Sequence, residues 1–143
     1  MNNTDESPAG LFALLHAADV AQTHVESKLV ALGLSLPKLA ALRALSAAGE
    51  SMPLGQLAER LSCVKSNITQ LVDRLEADGF VTRAPDPNDR RARLAVMTAA
   101  GRKACDEGTR VQDETERELF GGLSEAEARQ LASLIGKVTQ RAG

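Results

Sequence analysis

Asn67, Gln70 and Arg74 recur at i, i+3 and i+7, the spacing that lines one ridge of an α-helix. A carboxamide offers a donor and an acceptor together, which matches the adenine edge in the major groove of duplex DNA. Ser66 and Thr69 add short hydroxyls of the kind that meet phosphates, and Lys65 adds a cation at the start of the same helix. Further along, Asp89, Arg90, Arg91 and Arg93 follow the turn formers Pro85, Asp86, Pro87 and Asn88. A guanidinium on a protruding hairpin can enter a narrow minor groove, where the negative potential is enhanced. The ridge alone is what any solvated helix face looks like. Ridge and basic hairpin together favour contact with bases and phosphates.

Two helices and two strands must position these side chains. Helices are expected over residues 54–61 and 65–78. The second carries Ile68, Leu71, Val72 and Leu75 at i, i+3, i+4 and i+7, a face for burial opposite the polar ridge. Strands are expected over 80–83 and 94–98, with a long turn-rich basic loop between them. A helix for the major groove and a hairpin for the minor groove make a winged helix-turn-helix.

At LGQLAERL, SNITQLVDRLEADG, FVTR and DPNDRRARLAVMT the chain resembles the MarR family of bacterial transcriptional regulators. The resemblance covers nearly the whole chain. It implies a mainly α fold with a small antiparallel β wing and flanking dimerisation helices. It further implies a homodimer on double-stranded DNA with a pseudo-palindromic operator, repression by promoter occupancy, and no cofactor. A small phenolic or other aromatic effector would bind between the dimerisation helices and the DNA-binding lobe. It also implies that Asp89 orients the Arg91 guanidinium into the minor groove, leaving Arg90 for a phosphate. Where the family often has Ser or Thr, this chain has Val64, so the capping hydroxyl would come from Ser62 or Ser66.

The flanking segments fit that order. Ser7 and Pro8 signal the start of a first helix running to about residue 31 and stopped by Gly33. Its Leu11, Leu14, Leu15, Ala18, Val25 and Leu29 cover more than one face and call for a partner subunit. Ser35 caps a second helix through residue 45, with Gly49 beyond its end. Residues 49–54 read as a loop able to hold a short extra strand. Thr98 caps a helix over 99–120, ended by Gly121 and Gly122. Ser124 and Glu127 form a capping box for the last helix, whose Leu131, Leu134, Ile135 and Val138 again need a partner surface. The division is therefore 1–32 for dimerisation, 33–98 for DNA binding and 99–143 for dimerisation.

Composition narrows the alternatives. The 143 residues carry a net charge of -2, unevenly distributed. Residues 79–98 hold four Arg against two Asp, whereas 106–131 hold eight acidic residues against three Arg. The acidic part should face away from DNA. Two Cys, an acidic N-terminus and no run near the ~18 apolar residues of a membrane span point to the cytoplasm and to no membrane partner. Cys63 precedes the recognition helix, whose positive end favours a thiolate. The family's sensing cysteine is typically in the first helix, where this chain has none. Cys105 reads as a small buried hydrophobe. His16 and His24 lie about 12 Å apart along one helix, too far to share a metal ion. No G-x-S-x-G, glycine-rich phosphate loop, H-E-x-x-H or CxxC is present, so no enzyme is expected. With no Trp or Tyr and only Phe12, Phe80 and Phe120, a large aromatic-lined effector pocket is not expected, whereas Leu, Ala and His could line one. Two other readings remain: a Cys63-based redox regulator on the same scaffold, and a winged-helix protein-interaction module without DNA binding.

Overall fold

The computed structural model describes residues 10–61 and 67–142. Helix α1 (Gly10–Leu29) continues into a 3-10 turn, Val30–Leu32, which ends where Gly33 adopts φ 73°. The Ser7–Pro8 start falls outside the described residues. Ser35 Oγ then accepts the Lys38 N–H and opens α2 (Leu36–Ala47), with Pro37 in the first turn. Strand β1 (Ser51–Pro53) leads into α3 (Leu54–Arg60), and α4 (Ile68–Ala77) follows. Strands β2 (Val81–Asp86) and β3 (Asp89–Met97) form the hairpin. Thr98 Oγ1 accepts the Gly101 N–H at 3.0 Å and starts α5 (Ala99–Phe120). A reciprocal Ser124–Glu127 box starts α6 (Glu125–Ala142).

The fold is mainly helical with a three-stranded antiparallel wing, ordered β1-β3-β2. Met52 faces Ala95 in the β1–β3 pair, and Arg83 faces Ala95 in the β2–β3 pair. The hairpin is longer than the sequence suggests. The expected basic loop shrinks to a two-residue turn, Pro87–Asn88, between paired Asp86 and Asp89. Pro85 and Asp86, read as loop formers, belong to β2. That strand is at the sheet's edge, where proline's missing N–H is tolerated.

The core holds Leu29, Leu39, Leu42 and Leu45 from α1 and α2, Leu57 from α3, and Val72 and Leu75 from α4. Val81, Ala95 and Met97 close it from the sheet. Each such leucine stabilises the fold by about 1.5–3 kcal/mol through burial. Two surfaces remain uncovered. On α1, Leu11, Phe12, Leu14, Leu15 and Val20 are exposed, Phe12 by 75%. On α6 the stripe Leu131, Leu134, Ile135 and Val138 is exposed as well, and none of residues 125–141 is buried.

Candidate nucleic-acid interface

The α4 helix turns Leu71, Val72 and Leu75 inward, which leaves Thr69, Gln70 and Arg74 exposed on its outer side. Asn67 is exposed too, but it stands outside the helix as its N-cap. Its Oδ1 accepts the N–H groups of Thr69 at 3.0 Å and Gln70 at 3.3 Å. This corrects the expected start at residue 65 and the expected Ser62 or Ser66 cap. An amide whose oxygen is committed to the backbone cannot also present the donor–acceptor pair that adenine requires. Lys65, Ser66 and Cys63 lie outside the described residues, as do Ser62 and Val64.

At the wing tip, two aspartates shape the backbone. Asp86 Oδ1 accepts the Asn88 N–H at 2.9 Å, and Asp89 Oδ1 accepts the Arg91 N–H at 3.0 Å. The expected Asp89 contact with the Arg91 guanidinium is therefore a contact with the Arg91 backbone. The register jumps from Pro85↔Arg93 to Asp86↔Asp89, so residues 90–92 of β3 have no partner on β2. Such an irregularity bends a strand and re-aims its side chains. Arg90, Arg91 and Arg93 are all exposed and sit on this strand rather than in a loop.

Behind the tip, the wing is tied to α4. Arg83 Nη2 donates to Asp73 Oδ1 at 2.7 Å and Arg83 Nη1 donates to Glu76 Oε1 at 2.6 Å. The Asp73 hydrogen bond raises the Arg83 pKa above the ordinary arginine value. The sequence counted Arg83 only as charge, because nothing in its spacing shows that a strand residue will reach a helix ridge. The far end of α4 is held by Lys38 Nζ, 2.8 Å from Asp78 Oδ2. The wing root meets α5 just as closely. Thr98 Oγ1 donates to the Gly79 carbonyl at 2.6 Å, and Gly101 lies against the Phe80 carbonyl.

Residues 34–92, which span this helix-turn-helix and most of the wing, match the MarR family. Over 107 residues the chain is 36% identical to the uncharacterized HTH-type transcriptional regulator YcgE of Bacillus subtilis, covering 75% of this chain and 69% of that one. The chain belongs to the MarR family. Two further curated relatives are matched over about half of their own length. A mutant MarR from E. coli, crystallised with operator DNA, superposes with a TM-score of 0.80 at 25% identity, over 96% of this chain and 99% of that one. CouR from Rhodococcus jostii RHA1 bound to p-coumaroyl-CoA gives a TM-score of 0.80 at 26% identity, over 95% of each chain. As a MarR-family protein this is a DNA-binding transcriptional regulator and not an enzyme.

This MarR-family chain has an open cleft of about 920 Å³ between α1, α2 and α5. Leu36, Leu39, Leu119 and Phe120 supply much of its apolar wall. Leu and Ala side chains line it, with the Phe120 ring and neither histidine. Thr115, also lining it, is buried with no partner for its hydroxyl among the described residues. Arg43, on the rim, donates to Gln112 Oε1 at 2.8 Å. His24 Nε2 lies 2.9 Å from Glu118 Oε1, which Lys28 also meets. These contacts, Lys28 first, hold the Glu118 carboxyl below its usual range. Burial pushes the Cys105 thiol up, away from the thiolate. Among the described residues no group of three or more His, Cys, Asp or Glu could hold a metal ion, and no single helix is long and apolar enough to cross a membrane.

Proposed function

We propose that the protein is a cytoplasmic homodimeric repressor that reads a pseudo-palindromic operator in double-stranded DNA and is released by a small effector. Thr69, Gln70 and Arg74 of α4 meet the major groove, Asn67 acts first as the cap, and Lys65 and Ser66, which precede it in sequence, are further proposed contacts. Arg90, Arg91 and Arg93 meet the minor groove and its phosphates, with Asp89 shaping the turn. The single observation carrying this reading is that the polar side of α4 and the arginines of the wing tip are all exposed on one braced lobe.

Residues 1–32 and 99–143 form the dimerisation region in this reading. The exposed stripes of α1 and α6 supply apolar area for it, and covering them with a second copy removes both from water. Two recognition helices about 34 Å apart then match successive major grooves. The cleft between α1, α2 and α5 takes a small aromatic or phenolic effector. Its apolar wall suits a ring, and Thr115 and Arg43 suit a polar substituent. Such a ligand acts only through different affinities for the DNA-competent and incompetent arrangements.

The test is sedimentation of the protein with a fluorescent duplex enriched from a random pool by the wild-type protein, with and without p-coumaric acid and related phenols. Two protomers per duplex, released by at least one phenol, is the expected result. One protomer per duplex, or release by none of the phenols, contradicts the dimer or the effector respectively. Loss of binding on mild peroxide treatment, with an adduct at Cys63, would favour the redox reading instead.

A further inference from the structure

Arg83 follows Val81 by two residues along β2, so both point to the same face of the strand. Val81 is buried in the core. One rung closer to the wing tip, Arg83 meets two carboxylates one helical turn apart on α4. Its side chain is 19% exposed, against 59% for Asp73 and 42% for Glu76. The guanidinium side chain is thus less exposed than either carboxylate it meets. Each of its two terminal nitrogens serves a different residue, a two-pronged grip that a lysine ammonium cannot reproduce as a flat fork.

We propose that Arg83 is a positioning residue for DNA docking: its grip on Asp73 and Glu76 fixes the angle between wing and recognition helix, so that both reach adjacent grooves at once. This rests on reading α4 and the wing tip as the DNA interface. The grip has a second effect. Asp73 and Glu76 flank Arg74, and left alone they would set two negative charges beside approaching phosphates. Arg83 offsets one charge and draws both carboxylates toward the wing. The sheet beyond Arg83 is an edge strand ending in an irregular tip, so the wing's direction depends on what holds its base.

The experiment compares the wild-type protein, Arg83→Gln and the double variant Asp73→Asn, Glu76→Gln on a duplex enriched from a random pool by the wild-type protein. Guanine N7 methylation reports the major groove, and hydroxyl-radical cleavage reports the minor groove. Arg83→Gln is expected to keep the N7 protection while minor-groove protection at the site's edges falls about fivefold, a size typical of coupling residues. The double variant should show the same selective loss even though its helix is less acidic, a result that charge alone cannot produce. It also keeps the test open if Arg83→Gln does not fold. Unchanged protection in both grooves, or equal loss in both, overturns the inference. Absence of any protection by the wild-type protein would instead overturn the DNA-interface reading beneath it.

Discussion

Asn67 Oδ1 accepts the backbone N–H of Gln70 at 3.3 Å, so the residue that starts the recognition helix is bonded to one proposed to read bases. The same oxygen accepts from Thr69. Asn67→Ala should cost about 1 kcal/mol of stability, the usual effect of a lost N-cap. Asn67→Asp keeps the acceptor and suits the helix dipole, so its stability should stay within about 0.5 kcal/mol of wild type. Its added charge should nevertheless weaken DNA binding. Urea titrations and duplex titrations separate the two effects. Equal destabilisation by Ala and Asp would contradict the cap.

The junction of wing and α5 leaves no room for a side chain at Gly101. A Cβ there would sit 2.1 Å from the Phe80 carbonyl oxygen, against backbone that cannot turn aside. Gly101→Ala should therefore destabilise by about 2 kcal/mol or more. Gly108 gives the contrast. Its Cβ would meet the Leu39 and Leu34 methyls at 2.7 and 2.8 Å, and those side chains can shift. Gly108→Ala should cost about 1 kcal/mol. Thermal melts of both variants check the order, and a larger loss at Gly108 would contradict it.

Much of the fold was legible because its signals are local. Thr98 before α5 and Ser124 with Glu127 before α6 sit where capping chemistry requires, and the periodic Leu71, Val72 and Leu75 of α4 are buried, with Ile68 packed half-buried against the core. The wing strands were underestimated. Pro85 and Asp86 are turn formers by type, and only the pairing with β3, a non-local fact, draws them into a strand. Arg83 and Gly101 were missed for a related reason. Each matters through a neighbour from another element, the α4 carboxylates for one and the Phe80 carbonyl for the other. Asn67 was recognised as polar and exposed, but its spacing with Gln70 and Arg74 fits a cap as readily as a ridge.

Glu50 sits at φ 80°, a left-handed conformation that side chains rarely adopt. It is held by the β3 ladder, through Met97 N–H to its carbonyl at 2.8 Å, and by an ion pair with Arg102 of α5. The Arg102 hydrogen bond lowers the Glu50 pKa below its usual 4.5. A lowered carboxyl pKa adds stability above the unfolded value, and that stability is lost as pH falls through the folded value. The gap in melting temperature between wild type and Glu50→Gln should therefore narrow from neutral pH to about pH 3. A gap that does not change with pH would mean that the ion pair contributes nothing.

At the wing tip, Arg91 is exposed on the unpartnered stretch of β3, with its own backbone N–H fixed by Asp89. Arg91→Ala should weaken binding to an enriched duplex by more than about 1 kcal/mol. If the guanidinium enters a groove against phosphate charge, the slope of affinity against salt should also fall by about one. Stability should not change, because the side chain is exposed and makes no ion pair among the described residues. Titrations at low and high salt give both numbers. Unchanged affinity at both would remove the wing from the interface.

The sequence logo of duplexes selected from a random pool tests the whole account most directly. Two copies of α4 presented by a two-fold dimer should enrich an inverted repeat, its half-sites about 10 base pairs apart centre to centre. A-tract-like flanks should appear where the wing arginines reach the narrowed minor groove. Enrichment of a single asymmetric half-site, or of no sequence at all, would contradict it.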